Sequence, residues 1–225
     1  MMSTGTAPRC PSRRPAPDRP ATGFTLVEVL VALLLLGIMS AMGYGTYRQA
    51  RISAERAQAS QKRTREIEFG VRIMVQDFAQ IVPRPIRQSI GTGRDPALQG
   101  DAIKSGSATT ATLVQMTRGG WSNTAGVQRG TFQRVSYQLD KETLKRLYQP
   151  VLDPTLSNRP VVQELITQVK SVQLRYLDVS HVWMDSWPKP GLVPPDSWTA
   201  RPIAVEVTIE LKDWGTIRRL VEVAG

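Results

Sequence analysis

Cysteine and histidine are almost absent from this chain, and their scarcity excludes several kinds of site. The 225 residues contain one cysteine, Cys10, and one histidine, His181. No disulfide can form within the chain, and neither a thiolate cluster nor a site with several histidines can hold a metal ion. A catalytic triad would need His181 to meet a nucleophile and an acid, and the chain has no Gly-x-Ser-x-Gly elbow. We therefore expect no cofactor, no metal and no enzymatic activity.

Acidic residues are scarce relative to basic ones, with 19 Asp and Glu against 29 Lys and Arg and a formal net charge of +10. Such a surplus indicates a nucleic-acid partner only where a recognisable motif presents the basic residues. We find no such motif, and the surplus is concentrated in residues 1–23 and 48–72, so we expect no nucleic-acid binding. Hydrophobic residues make up 41% of the chain, which excludes a mostly disordered protein.

The N-terminal residues form two parts of opposite composition. Residues 1–23 contain five prolines and four arginines, and we expect them to be unstructured because proline breaks both helices and strands. From Phe24 to position 47 the composition is apolar, and Glu28 is the only charged residue. The 19 uncharged residues after Glu28 approach the length of about 20 residues that a helix needs to cross a bilayer. The sequence therefore predicts a membrane span over 24–47.

The residues at the start of this span resemble the type IV prepilin signal. Gly23-Phe24-Thr25-Leu26-Val27-Glu28 contains the glycine, the aromatic residue and the glutamate of that signal, directly before an uncharged span. The resemblance implies that a prepilin peptidase cleaves after Gly23 and methylates the new N-terminal amine of Phe24. It also implies that Glu28 pairs with the N-terminus of a neighbouring subunit, and so draws the subunit into a filament.

A secretory signal peptide and a twin-arginine signal both fit this segment less well. A secretory signal peptide needs a shorter apolar run and a small-x-small cleavage site, for which Met39-Ser40-Ala41 is a poor match. Pro15 follows Ser12-Arg13-Arg14, where a twin-arginine signal requires an apolar residue. For Glu28, the alternative to a role in assembly is a side chain that extends from one turn inside the span to the membrane interface. More basic residues follow the span than precede it, which favours a cytoplasmic C-terminus, but the prepilin signal predicts a periplasmic one.

Helical composition continues from residue 48 to residue 82. Ala, Arg, Glu and Gln dominate this segment, and no proline occurs in it before Pro83. Residues 48–66 are polar all round, as expected of an exposed helix. Beyond them, apolar residues recur at steps of three and four and form one helical face that should pack on a globular head: Ile67, Val71, Met74, Phe78 and Ile81. We therefore predict one helix from Phe24 to about Ile81, half in the membrane and half outside it.

Residues 83–225 have the composition of a β-rich head. Residues 83–111 and 180–202 are rich in turn-forming residues and predict two long loops. Patterns typical of short strands occur at 112–117, 131–139, 144–148, 172–177, 203–211 and 217–223. The last two predict a hairpin around Asp213-Trp214-Gly215, and 161–169 is either a short helix or a further strand. The predicted fold is α+β and type IV pilin-like, with a long N-terminal helix, part membrane span and part amphipathic, packed on a β-rich C-terminal head.

Several motifs in the head resemble the J-type minor pseudopilin of the bacterial type II secretion system. They are Thr117-Arg118-Gly119-Gly120-Trp121-Ser122-Asn123, Arg134-Val135-Ser136-Tyr137-Gln138-Leu139, and a proline-rich loop with Trp183 and Trp187 ahead of the final pair of strands. The arginine-rich helix before Asp77 also matches, whereas Thr124 stands where the family often has proline. The resemblance covers nearly all of the chain after Gly23.

This resemblance implies a structural role in a short periplasmic filament, the pseudopilus. J-type subunits form a tip complex with the I-type and K-type minor pseudopilins, and that complex primes assembly for export of folded proteins through the outer membrane. Further implied partners are the prepilin peptidase, other pseudopilins and the inner-membrane assembly platform. The implied location is the bacterial inner membrane, with a single span and a periplasmic head.

Three tryptophans are candidate partner contacts, because aromatic side chains concentrate binding energy at interfaces. Trp121 lies beside two glycines, and Trp183 and Trp187 are four residues apart in a proline-rich loop. The alternative for all three is packing within the head, since large aromatic side chains are mostly buried.

Small residues in the span either permit close helix packing or reflect ordinary membrane-helix composition: Gly37, Ser40, Ala41, Gly43 and Gly45.

Three other functions stay open at this point. A minor pilin of a type IV pilus or of a DNA-uptake filament would share the prepilin signal. A membrane-anchored enzyme with one span would depend on His181. A nucleic-acid binder would rest on the net charge of +10 alone.

Overall fold

One long helix, α1, occupies Leu26–Ala79 and contains 54 residues. It begins two residues after the predicted start and ends two residues before the predicted end, where Pro83 prevents a further turn. The prediction of one continuous helix is therefore confirmed. The chain divides into two compact units, one that ends at Ala57 and one that begins at Gln58. The computed structural model describes residues 23–88, 91–101, 110–121, 126, 130–153, 155 and 157–224.

Beyond α1, the described residues form short antiparallel strands and one further short helix. In chain order they are β1 (Ile86–Arg87), β2 (Arg94–Asp95), β3 (Leu98–Gly100), β4 (Thr110–Arg118), β5 (Gln133–Asp140), β6 (Thr143–Tyr148), β7 (Val161–Ile166), β8 (Val169–Leu177), β9 (Trp183–Met184), α2 (Asp196–Thr199), β10 (Ala204–Leu211) and β11 (Gly215–Glu222). One sheet has the order β3-β4-β5-β6-β7, a second has the order β11-β10-β8-β9, and β1 pairs with β2. The predicted α+β class is confirmed.

The strands predicted from the sequence are all present, and no predicted end differs from the observed one by more than three residues. The segment 161–169 is a strand rather than a helix, since β7 occupies most of it and β8 begins at Val169. The two predicted loops are partly wrong. Strands β1, β2 and β3 and the start of β4 lie within 83–111, and β9 and α2 lie within 180–202. Strands of two or three residues are too short to show a period of two, so only their pairing partners reveal them.

The second half of α1 packs into the core of the head. Of the predicted apolar stripe, Val71 is partly buried and four residues are buried, namely Ile67, Met74, Phe78 and Ile81. The ring of Phe78 stacks on that of Tyr137 in β5, with 6.2 Å between centroids. Gly70 lies so close to Ile166 of β7 that a Cβ atom on Gly70 would overlap the isoleucine side chain. The predicted packing of the amphipathic half on the head is confirmed.

Polar contacts hold α1 to the turns at one end of the head. Arg63 donates through Nε and Nη2 to the two carboxylate oxygens of Asp213, at 2.7 and 2.9 Å. Its Nη2 also donates to the Thr167 carbonyl at 2.9 Å. Glu66 accepts a hydrogen bond from the backbone N–H of Thr167 at 2.7 Å. These bonds join α1 to the β7–β8 and β10–β11 turns.

The two larger sheets are also joined to each other. Gly100, at the end of β3, exchanges two backbone hydrogen bonds with Trp187, at 2.8 and 2.7 Å. The Trp187 ring lies 6.1 Å from that of Tyr176 in β8. The core is therefore continuous from the five-stranded sheet to the four-stranded sheet.

Candidate functional sites in the processing segment and the head

The segment predicted to be processed lies immediately before the start of α1. The Thr25 hydroxyl accepts a hydrogen bond from the backbone N–H of Glu28 at 3.3 Å, and the Thr25 carbonyl accepts one from Val29 at 3.2 Å. Thr-x-x-Glu is the capping-box pattern, in which a side chain satisfies an unpaired N–H of the first helical turn. Gly23 and Phe24 consequently lie outside the helix, and both are exposed. The role of Thr25 was missed from the sequence, although the spacing alone contained the signal.

The apolar part of α1 has no protein surface against it among the described residues. Every residue from Leu26 to Ala50 is exposed, and this run contains most of the exposed aliphatic side chains in the part of the chain that the structure describes. A Cβ atom placed on Gly37, Gly43 or Gly45 would meet open space. These glycines therefore serve no close approach within the described chain, which leaves them available to another helix. An exposed apolar helix of this length requires lipid or neighbouring helices around it.

Trp187 and Trp183 have different surroundings in the proline-rich loop. Trp187 is only 5% exposed, and its indole Nε1 donates to the Ala200 carbonyl at 3.1 Å. It therefore belongs to the core of the head, and a partner-contact role does not suit its position. Trp183 is half-buried in β9, and the Arg175 guanidinium lies 5.3 Å from the centroid of its ring. Partner contact stays a prediction for Trp183.

The turn that carries Trp121 is fixed to the C-terminal end of α1. The backbone N–H of Gly119 donates to the Gln80 carbonyl at 2.8 Å, and Gly120 has a φ of 68°. The positive φ of Gly120 is a backbone conformation that favours glycine, and a Cβ atom there would lie 2.7 Å from the Gln80 side-chain oxygen and displace it. Trp121 is half-buried, and its backbone N–H donates to the Thr131 carbonyl at 3.1 Å. Partner contact stays a prediction for Trp121, and the rest of the motif, 122–123, lies outside the described residues.

Asp77, near the end of α1, is fully buried at the centre of a charged cluster that was not predicted from the sequence. Its Oδ2 accepts hydrogen bonds from Arg146 Nε and from the Tyr137 hydroxyl, each at 2.6 Å. Its Oδ1 accepts from Arg118 and, at 3.2 Å, from Arg146 Nη2. Arg118 also donates to the Gln80 side chain and, at 3.0 Å, to the Gly119 carbonyl. The cluster thus joins α1 to β4, β5 and β6 and supports the Trp121 turn.

Burial keeps the Tyr137 hydroxyl protonated. Desolvation, together with the charge of Asp77 beside it, raises the pKa of Tyr137 well above its usual value. The hydroxyl therefore stays a donor to the carboxylate at any physiological pH. The one available signal for this cluster was an acid at position 77 between the apolar stripe positions Met74 and Phe78. Two of its partners, Arg118 and Tyr137, lie in the head motifs quoted from the sequence.

The features of the head can be compared with known protein families. The family model described as "Type II secretion system (T2SS), protein J" matches residues 45–223. The chain belongs to this family. The "Prokaryotic N-terminal methylation motif" matches residues 18–44, which contain the prepilin-like signal and the start of α1.

Relatives of the J family match this chain over almost their whole length. Type II secretion system protein J of Klebsiella pneumoniae is 30% identical over 206 residues, covering 90% of this chain and 94% of the relative. The Escherichia coli protein of the same name is 30% identical over 204 residues, covering 90% and 96%. A chain in the crystal structure of the GspK-GspI-GspJ complex from enterotoxigenic Escherichia coli has a TM-score of 0.59 and 27% identity, covering 72% of this chain and 98% of that one. The protein is a J-type minor pseudopilin of the type II secretion system.

The membrane prediction agrees with this family. Among the described residues, α1 is the helix that is long and apolar enough to cross a membrane. One such N-terminal helix in a member of the J family is consistent with a single-pass protein of the inner membrane. In the part of the chain that the structure describes, no three His, Cys, Asp or Glu side chains lie together as metal ligands.

Proposed function

We propose that this pseudopilin is cleaved after Gly23, methylated on the new N-terminus of Phe24 and held in the inner membrane by one span, with its head in the periplasm. The start of α1 supports this proposal most directly. Thr25 caps the helix and leaves the bond between Gly23 and Phe24 outside it. The side chain of Phe24 is 83% exposed, and peptidases cut exposed segments outside regular structure more readily than helices.

The proposed organisation follows from this cleavage. Residues 1–23 are a leader that the prepilin peptidase removes, and residues 24–47 form the membrane half of the helix. Residues 48–82 continue the helix into the periplasm, and residues 83–225 form the head. In the assembled pseudopilus the apolar surface of the membrane half packs against the helices of neighbouring pseudopilins, with small residues such as Gly37 and Gly43 at the closest approaches.

Glu28 has a specific role in this assembly. A carboxylate within a membrane helix is costly unless a partner neutralises it, and such residues are usually functional. Its position in the first turn of α1 is favoured by the helix dipole. We propose that the methylated N-terminal amine of a neighbouring subunit pairs with Glu28 as the subunit leaves the bilayer for the filament.

The head is proposed to contact other minor pseudopilins. The similarity to a chain of the GspK-GspI-GspJ complex supports I-type and K-type partners. Trp121, held on the end of α1, and Trp183, half-exposed in β9, are the proposed contacts. In this role the protein acts by binding, without catalysis and without nucleic acid. The resulting tip complex primes pseudopilus assembly on the inner-membrane platform, and the filament exports folded proteins.

Replacing Glu28 tests the proposed assembly step. In a strain that lacks the gene, Glu28→Ala is expected to restore secretion at least tenfold less than the wild-type gene, because the subunit stays in the membrane. Cleavage after Gly23 is expected to continue, which the mass of the purified protein measures. The matched control is Glu68→Ala, which removes an exposed glutamate of the same helix outside the span. Full secretion by Glu28→Ala would contradict the proposed role of Glu28 in assembly. An uncleaved product would show that Glu28 is needed for cleavage by the peptidase instead.

A further inference from the structure

The charge pattern of α1 changes abruptly where its uncharged run ends. Arg48 and Arg51 follow the run directly, and no acidic residue occurs between Glu28 and Glu55. Two tyrosines precede the arginines, and their side chains are 70% exposed at Tyr44 and 62% at position 47. Tyrosine is enriched at membrane–water interfaces because its ring is apolar and its hydroxyl is polar. These residues therefore mark the depth at which the helix leaves the bilayer.

The two tyrosines and the two arginines share one face of the helix. They lie at positions 44, 47, 48 and 51, and residues three or four apart on a helix are neighbours on its surface. Together with Ile52 and Glu55 they line one shallow notch. Tyr44 and Tyr47 precede Arg48 and Arg51 along the helix, so the notch is aromatic toward the apolar run and basic toward the polar part of α1.

The two arginines are not committed to protein partners. Arg48 makes no hydrogen bond or ion pair within the described residues. Among the described residues, Arg51 forms an ion pair with Glu55 at 3.3 Å, and both side chains are about two-thirds exposed, at 64% and 66%. Such an exposed pair contributes little. Arg63 provides the contrast, because its guanidinium is held by Asp213 and Thr167 within the head.

We infer that Tyr44, Tyr47, Arg48 and Arg51 form a binding site for the phosphate of an anionic phospholipid. This inference rests on the proposed function, in which α1 spans the inner membrane. Guanidinium groups bind phosphate through paired N–H donors, and the tyrosine hydroxyls can donate to the same oxygens. A lipid with net negative charge is preferred to a zwitterionic one, because in the latter a cationic group already balances the phosphate. The site also accounts for basic residues on the side of the span where the positive-inside rule disfavours them.

The site is confined to the helix surface nearest the bilayer. At 1.5 Å per residue, Lys62 and Arg65 lie about 21 and 26 Å beyond Arg48 along the helix. Charges in solution are screened over about 8 Å at physiological ionic strength. Lys62 and Arg65 therefore contribute little to lipid binding, although replacing them changes the net charge as much as replacing Arg48 and Arg51.

The test counts the lipids retained by the full chain. Protein purified in a neutral detergent is mixed with equal amounts of phosphatidylglycerol and phosphatidylcholine with the same acyl chains, and bound lipids are counted by native mass spectrometry. Each basic residue near a membrane surface changes the binding of anionic lipid about fivefold. We expect the wild-type protein to retain phosphatidylglycerol preferentially, and the Arg48→Gln/Arg51→Gln variant to lose this preference by roughly twentyfold to thirtyfold.

The control variant is Lys62→Gln/Arg65→Gln, which should keep the wild-type preference. Equal retention of both lipids by the wild-type protein would overturn the inferred site, as would an equal loss of preference in the control variant. A wild-type chain that retains neither lipid would overturn the inferred site as well. Release of the protein from membranes by alkaline carbonate would instead overturn the proposed span, and the failure of the span is thereby distinguished from failure of the lipid site.

Discussion

Asp77 is a single carboxylate that neutralises two buried guanidinium groups. Arg118 and Arg146 are both buried in the same cluster, and Tyr137 donates a further hydrogen bond to Asp77. Removing one partner of a buried ion pair leaves an uncompensated charge, which costs far more than the net contribution of the intact pair. Asp77 therefore decides whether α1 and three strands of the five-stranded sheet can remain packed together.

We expect Asp77→Asn to lower the free energy of unfolding by about 3–5 kcal/mol, because the substitution keeps the shape and removes the charge. The measurement is urea unfolding of the full chain in detergent, followed by tryptophan fluorescence. The matched control is Asp213→Asn, whose ion pair with Arg63 is partly exposed and is expected to cost about 1 kcal/mol or less. Equal effects of the two substitutions would contradict the dominant role of Asp77.

The sequence allowed part of this residue-scale description to be predicted. The position of Asp77 beside the apolar stripe was visible, because three-residue and four-residue steps relate it to Met74 and Ile81. Its partners were not visible, because Arg118 and Arg146 lie 41 and 69 residues away and only strand pairing brings them together. The same limit left Trp187 and Trp183 equivalent in the sequence, although only Trp187 reaches the core.

At the scale of secondary-structure elements, Gly70 sets the distance between α1 and β7. Glycine within a helix is less favourable than alanine by about 1 kcal/mol, so Gly70→Ala would stabilise an isolated helix. In this head, however, the added methyl group would overlap the Ile166 side chain and lie 3.3 Å from the Leu165 carbonyl oxygen. Close packing in the core therefore outweighs helix propensity at this position.

We expect Gly70→Ala to lower the free energy of unfolding by about 1–3 kcal/mol, the usual cost of overpacking. Urea unfolding of the full chain measures the change. Gln76→Ala, on the exposed face of the same helix, is the control and should change the stability by less than about 0.5 kcal/mol. A Gly70→Ala variant more stable than the wild-type protein would show that helix propensity prevails and that β7 moves aside.

Long elements were predictable and short ones were not. β10 alternates over seven residues, 205–211, and the apolar stripe that begins on α1 repeats over about four turns, so their patterns stand out from the surrounding sequence. β1 and β9 contain two residues each and exist only through pairing with β2 and β8. The strand at 161–166 was ambiguous in the sequence because it begins with two adjacent apolar residues, Val161 and Val162, instead of an alternation of apolar and polar residues.

At the scale of the whole molecule, ion pairs on the head make its stability depend on pH. A hydrogen bond from Lys189 lowers the pKa of Asp178, one from Lys170 lowers that of Glu210, and one from Arg63 lowers that of Asp213. In the unfolded chain these groups titrate near their ordinary values of 3.8 and 4.5. As the pH falls, the unfolded chain therefore binds protons before the folded one does, and each proton favours unfolding.

We expect the urea midpoint to be nearly constant from about pH 8 to pH 6 and to fall from about pH 5 downwards. A variant with Asp178→Asn, Glu210→Gln and Asp213→Asn should begin with a lower midpoint and lose less of it on acidification. Urea unfolding of both proteins at a series of pH values measures this difference. Parallel loss in the two proteins would assign the acid sensitivity to other carboxylates.

The architecture of the whole molecule was predicted better than its interior. The six residues Gly23–Glu28 and the uncharged run behind them were sufficient to predict the pilin-like plan, because a carboxylate inside a membrane span is rare and usually functional. The charge of +10, in contrast, said little about partners until the arginines were placed along α1. Their positions separate the arginines that hold the head, such as Arg63, from Arg48 and Arg51, which directly follow the uncharged run.

The contacts of Arg63 and Asp77 with the head have a mechanical consequence. The two residues are 14 positions apart on α1, which corresponds to about 21 Å along its axis. A body attached to a rod at two separated points can neither tilt about one point nor turn around the rod. A force along the second half of α1 therefore moves the head together with the helix, without rotation of the head relative to it.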